Sequence, residues 1–493
     1  MTTLSDIIAE SALLTVDNTK TVTNKTISGA SNTIDNLNAS NLSSGTVDTA
    51  RLASGTADAT TYLRGDQTWA AAGLNYFNDS ENTTAPNDTK PVDILTAANA
   101  GTDVDVAIVP KGTGAFSLQV PDNTNTGGNK RGNNAIDLQT IRSSASNVAS
   151  GGYSFVAGNG NTSTNIGAVA VGYNNIASGN YSTAIGYTNT ASGTGGLSLG
   201  YANTSTGVVS IALGYDNTSS AERSFAVGEL NTASANYTTA IGYSNDATEL
   251  YATAIGRDNL ASGNGSVALG YSNTASGGQA TGLGFANTAS GSRSFVVGYN
   301  NNASNSGSIA MGNFNTSSGT YSVALGSNNI SDGDYATALG LRADTKGRKS
   351  VVSIGVYTNA GNYNTNTSIF TAGGQTTDAT PTPLHAWNTA SETYYNLLNT
   401  NSAYTLKILV VGMDTTYNVK SWEISALIKN ASGTVSIVGT PTKTVVAQDT
   451  GASTWDVDFV LGTTVSGFTV QATGAAATTI NWTATMHAAE VKV

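Results

Sequence analysis

Glycine recurs every fourteen residues without a slip, at Gly158, Gly172, Gly186, Gly200, Gly214 and nine further positions ending at Gly340. With glycine at about a ninth of the chain, fourteen hits in register by chance is roughly a 10⁻¹³ event, so the period is a structural repeat. Other columns keep step. Asparagine stands three residues after the glycine from Asn161 to Asn329, Asn175, Asn189 and Asn203 among them, and fails only at Ala343. An aliphatic residue precedes the glycine, as at Val171, Ile185, Leu199, Leu213 and Met311, and only Ala157 is small.

The spacing predicts two short strands per turn of a stacked β-roll. Within YSTAIG, residues 181–186, two-residue alternation puts Ser182 and Ala184 on one face and Thr183 and Ile185 on the other. Side chains this small line something narrow, which places them inside the flattened coil. The aliphatic row then lies outside as a long apolar stripe that needs a partner. Each such side chain contributes roughly 1.5–3 kcal/mol when fully buried. Fourteen turns about 4.8 Å apart make a rod of roughly 65–70 Å.

Composition agrees with a stacked polar surface. Charged residues make up only 11 % of the 493, with 55 Gly and 7 Pro, so solubility rests on Asn, Thr and Ser. The 39 % hydrophobic content and the strict period argue against disorder. Nucleic acid is a poor partner, because the net charge is −11 and the 21 Lys and Arg are scattered. There is no cysteine, which excludes disulfides and cysteine zinc sites. Residues 1–14 lack the basic and long apolar regions of a signal peptide, and no stretch reaches eighteen apolar residues. The expectation is a protein with no membrane insertion, released by lysis within a virion or contractile particle.

The columns have structural readings. Asn amides stacked turn on turn hydrogen-bond along the axis. The glycines mark special torsions or close backbone approach. Tyr173, Tyr187, Tyr201, Tyr215, Tyr243, Tyr271 and Tyr299 form a ladder that either glues turns by stacking or meets a glycan. On these residues, units such as NTASG (273–277) and YSTAIG (181–186) resemble the head repeats of YadA-type trimeric autotransporter adhesins. That resemblance covers about two fifths of the chain and implies a left-handed parallel β-roll and a homotrimer.

The flanks carry other resemblances. TVTNKTISG (21–29) and GTADATTYLRGDQTW (55–69) resemble segments of bacteriophage tail fibres. Residues 1–19, with Leu4, Ile7, Ile8, Leu13 and Leu14, read either as an attachment segment or as a frayed terminus; 20–75 read as an interwoven β-shaft, and 76–150 as a small β-domain. Asp103–Phe116 alternates and then turns at Pro110 and Gly112, as a hairpin would. GGNKRG (127–132) lacks P-loop spacing, so phosphate binding is not expected.

The roll is expected over 151–347. After Gly347 longer alternating segments predict a β-sandwich or jelly roll over 348–493, with strands at 404–411, 421–429, 434–438, 454–461, 467–472 and 479–493. TTDATPT (376–382) and TGAAATTINW (473–482) resemble the C-terminal domain of marine and cyanobacterial phage tail fibres. The composite expectation is an all-β homotrimeric fibre in a phage tail, fixed to a tail or baseplate protein by its N-terminus; a trimeric adhesin of a bacterial surface is the second reading and a fibre of a phage-like contractile injection particle the third. The fibre's tip would contact a host surface polysaccharide or lipopolysaccharide. Candidate receptor contacts are the loop aromatics Trp387, Tyr394, Tyr395 and Tyr417, since flat rings stack on sugars; Trp422 and Trp482 read as core. Asp456 and Asp458 share a strand face, as a solvated strand does, and with two histidines a catalytic triad has little support. No catalytic, metal or cofactor site is assigned, and an enzyme ranks last.

Overall fold

A computed structural model describes residues 61–63, 69–71, 77–82, 92–97, 108–357, 364–385, 398, 400–461 and 467–492. It divides into two units, 1–108 and 109–493. In the first, Thr61–Leu63 pairs antiparallel with Trp69–Ala71, and Phe77–Asn82 with Val92–Ala97. The attachment segment at 1–19 and the string 21–29 lie outside the described residues.

In the second unit the repeats form a parallel solenoid. Each turn has a five-residue strand and a two-residue strand, such as Thr183–Tyr187 and Thr190–Ala191, separated by tight turns. Long strands stack on long strands in strict fourteen-residue register, Ala184 beside Ala170 and Ser198. Short strands stack as a sheet of thirteen. The interior is the small-residue column: Ser182, Ala184 and Ala191 are completely buried. The aliphatic row faces outward, with Ile185 39 % exposed. A side chain sandwiched between equivalents one turn above and below shows solvent little more than its outer end.

Two columns make this backbone possible. Gly186 sits at φ +122°, and a Cβ there would overlap the carbonyl oxygen of Gly200 in the next turn. Each asparagine is buried and fully bonded. Asn189 Nδ2 donates to Asn175 Oδ1 (3.0 Å), Ile185 O (3.0 Å) and Gly200 O (2.7 Å). Its Oδ1 accepts from the Asn203 backbone N–H (3.0 Å) and from Asn203 Nδ2 (3.1 Å). Buried amides left without partners would each cost about 1–3 kcal/mol, so the column holds the turns in register.

Both ends of the ladder are closed. At the start, Gln139 Oε1 accepts the Asn161 N–H (2.7 Å). Beside it Asp137, fully buried, bonds Arg131 Nε (2.8 Å) and Arg142 Nη2 (3.2 Å). Of the two basic residues of GGNKRG, Arg131 is therefore spent on a buried charge cluster under the first turn, while Lys130 is exposed. The sheet starts early: Phe116–Ser117 pairs in parallel with Ile136–Asp137, and Ile136–Ile141 with Phe155–Asn159. Phe116 thus joins the roll; of the hairpin expected at 103–116, the described part keeps only a turn at 111–113. At the far end, Asn329 Oδ1 accepts the Ala343 N–H (2.7 Å).

The long-strand sheet crosses residue 347 unbroken. Thr337–Gly340 pairs in parallel with Val352–Gly355, and the sheet then turns antiparallel through Asn364–Thr376, Ile480–Lys492, Ser402–Asp414, Val419–Ala431 and Thr442–Gln448. A small sheet of Thr382–Pro383, Phe468–Thr473 and Asp456–Leu461 covers one face. Between them lies an apolar core of Leu406, Ile408, Val410, Phe468 and three tryptophans; the rings of Trp422 and Trp455 lie 5.7 Å and 6.0 Å from that of Trp482. Trp422 and Trp482 are core, as their in-strand positions suggested. The sandwich expected here is thus a long antiparallel sheet continuous with the roll and covered by three strands. At the junction Lys346 pairs with Glu490, which also accepts the Tyr404 hydroxyl (2.6 Å). Burial pulls the Lys346 pKa below its ordinary value, against the pull of Glu490.

Candidate functional site

Of the four loop aromatics, Trp387, Tyr394 and Tyr395 lie outside the described residues, and Tyr417 is placed by a tight hairpin. The Ser402–Asp414 strand runs three residues past 411, where the expected strand ends, so the reversal is only 415–418. Asp414 organises it. Its Oδ1 accepts the N–H of Thr416 (2.8 Å) and of Asn418 (2.9 Å), and its Oδ2 accepts Asn418 Nδ2 (2.9 Å). The side-chain bond from Asn418, with those from Thr416, holds the Asp414 pKa below the ordinary carboxylate value. Tyr417 sits at the apex with φ +69° and is 79 % exposed. A left-handed backbone is costly for a tyrosine, and this one is fixed by the turn around it. The result is a ring carried outward on a hydrogen-bonded turn and largely open to solvent.

The tyrosine ladder of the roll is different. Tyr173, Tyr187, Tyr201 and Tyr215 stack with centroids 4.9 Å apart and planes within 9°. Arg257 lies between Tyr243 and Tyr271, 5.2 Å and 5.4 Å from their centroids. Within the stacked runs ring faces are covered by neighbouring rings, which favours stacking over sugar contact there.

A second aromatic column escaped the sequence reading. Tyr153, Tyr181, Tyr237, Tyr251, Tyr321 and Tyr335 occupy one turn position, all at φ between +53° and +60°. Tyr181 is 69 % exposed and its ring lies over Gly167. The signal was available: these tyrosines stand five residues before the glycine column, in the same period. Their local cost, about 1–2 kcal/mol each for a non-glycine left-handed residue, hid them behind the expectation of Gly or Asn.

Among the described residues the strand carboxylates of the tip are engaged. Lys443 Nζ reaches Asp456 (2.8 Å) and Asp458 (2.9 Å), tying the edge strand to the small sheet. Partial burial would lower the Lys443 pKa, but these two carboxylates outweigh it and hold the ammonium above its ordinary value. Glu423 pairs with Lys407 at 3.2 Å. Among the described residues no three His, Cys, Asp or Glu side chains gather as metal ligands. A shallow depression at the strand ends is lined by Asn401, Ala403, Lys429, Asn430 and Val491, without a carboxylate.

No curated protein matches the chain. The sequence model of the YadA head domain repeat does match, in ten stretches that together run over 163–245, 247–273 and 275–343. The solenoid, with its inward Ser and Ala, glycine corners and asparagine spine, is therefore built from repeats similar to YadA head domain repeats.

Proposed function

We propose that this chain is a trimeric, fibrous, adhesin-like surface-binding protein in which the roll is a rigid spacer and the tip carries recognition. The observation that carries this reading is the uninterrupted solenoid of YadA-head-like repeats with an apolar row along its outer face. That row needs neighbours, and three chains packed about one axis supply them. Tyr417, carried outward on a hydrogen-bonded turn, and the exposed tyrosine column of the roll offer platforms for sugar rings. Trp387, Tyr394 and Tyr395 complete the proposed contacts. Sedimentation of the purified chain tests the trimer, and binding to intact bacterial cells or a panel of surface polysaccharides tests recognition. Loss of binding in Tyr417→Ala with an unchanged trimer supports the tip; retained binding there, and its loss in Tyr181→Ala, would move recognition to the roll.

A narrower reading is a tail fibre of a phage or of a phage-like contractile particle, fixed by its N-terminal segment. The fifteen-residue string at 55–69 and the strings at 376–382 and 473–482 support it. Detection of the chain in purified particles, against detection on the surface of the producing cell, separates it from a cellular adhesin.

A further inference from the structure

The Ser402–Asp414 strand contains the apolar run Ile408, Leu409, Val410, Val411, Gly412, Met413, yet a single chain buries only one of its faces. Leu406, Ile408 and Val410 lie in the core, whereas Leu409, Val411 and Met413 point outward, each more than 40 % exposed. A strand with one wet face alternates apolar with polar; a continuous apolar run marks burial on both faces. Val419, paired with Met413, and Leu427 add to the same outward surface.

Register identifies what this surface adjoins. Residues directly opposite in a sheet share a side. The outward Leu339 of the roll lies beside Ile354, Ile354 beside Thr367, Thr367 beside Ala489, and Ala489 beside Thr405. Thr405 alternates along its own strand through Lys407, whose ion pair with Glu423 borders the patch, to Leu409, Val411 and Met413. Twist rotates strand direction along the sheet but does not change sides. The outward face of the tip and the aliphatic row of the roll are thus one face of one sheet. The strand beyond, Thr442–Gln448, is exposed on both faces and includes Val445 and Val446, a further sign that a lone chain is incomplete here.

We propose that the outward face of the tip sheet, centred on Leu409, Val411 and Met413, packs against further copies of this chain, extending the roll's interface into the tip. This rests on the trimeric reading above and deepens it: recognition would fall to the hairpin apex at Tyr417 and to the surface of the small sheet.

The native chain has no cysteine, so single thiols can be placed at will. Full-length Ile185→Cys, Val411→Cys and Thr454→Cys variants would be checked by sedimentation and titrated with a maleimide. The expected result is a trimer in which the thiols at 185 and 411 react at least about tenfold more slowly than the one at 454. A trimer with a slow thiol at 185 and a fast one at 411 overturns the inference and leaves the trimer standing; the face would then be open to a receptor. A monomer with both thiols fast overturns the trimeric reading as well. If Val411→Cys fails to fold, Leu409→Cys provides the same readout.

Discussion

Replacing Asn203 with alanine is the sharpest test of the asparagine spine. The amide makes five hydrogen bonds: Nδ2 to Asn189 Oδ1 (3.1 Å), Leu199 O (2.9 Å) and Gly214 O (2.6 Å), and Oδ1 from Asn217 N (3.1 Å) and Asn217 Nδ2 (2.9 Å). Some partners keep other bonds, since Asn217 Nδ2 still reaches Leu213 O and Gly228 O. The Asn217 backbone N–H loses its acceptor in a fully buried site. One orphaned buried donor costs about 1–3 kcal/mol, and the vacated volume adds to this, so a total of about 3 kcal/mol is expected. In a solenoid the loss stays near its source, because each turn contacts only its neighbours. Amide hydrogen exchange on the full-length chain should show the 217 amide accelerated by about a hundredfold, with turns five or more away unchanged. Asn203→Asp should be worse at neutral pH, since the carboxylate would face three acceptors. Its pKa would be raised in the fold, so the defect should ease as pH falls below that raised value. An effect of Asn203→Ala within about 0.5 kcal/mol, the range of a surface substitution, would refute the claim that the column satisfies buried donors.

Gly214→Ala should cost more than about 3 kcal/mol by denaturant unfolding, because its Cβ overlaps the Gly228 carbonyl at φ +117°, whereas Gly112→Ala, left-handed but with nothing near, should cost about 1 kcal/mol. Asp137→Ala leaves the buried Arg131 and Arg142 without their carboxylate, and should lose about 3–5 kcal/mol, seen as fraying by limited proteolysis at the first turns. The Asp414 pKa is depressed in the fold, so its contribution is present above the ordinary carboxylate value and lost as pH falls through the folded value. Tyr417 ring resonances should therefore broaden or shift on acidification, and Asp414→Asn should remove that pH dependence.

The repeat was legible because every turn solves the same packing problem, so the period, the small interior and the outward Ile185 and Leu213 follow from glycine spacing and alternation. The strands at 421–429 and 434–438 were legible for a similar reason, each alternating between turn signals. Val351–Tyr357, Asn364–Thr376 and Thr442–Gln448 were not. The last is TKTVVAQ, exposed throughout and held by pairing with its neighbour, which local sequence does not encode. The cluster of Arg131, Asp137 and Arg142 was hidden because charges near a glycine-rich stretch read as surface until partners from separate segments meet. Tyr417 was placed in a loop by its neighbours; its left-handed apex depends on Asp414 and Asn418 bonding across the turn.

The direction of the hydrogen bonds sets how the roll responds to load. The strands lie across the long axis, so their interstrand bonds run along it, and tension between the two ends loads the rungs in series. A solenoid pulled this way opens turn by turn from an end. Each fourteen-residue turn that opens changes about 4.8 Å of stacked height into as much as about 50 Å of extended chain. The stack can thus lengthen in steps when its two ends are pulled apart, absorbing work as each turn opens.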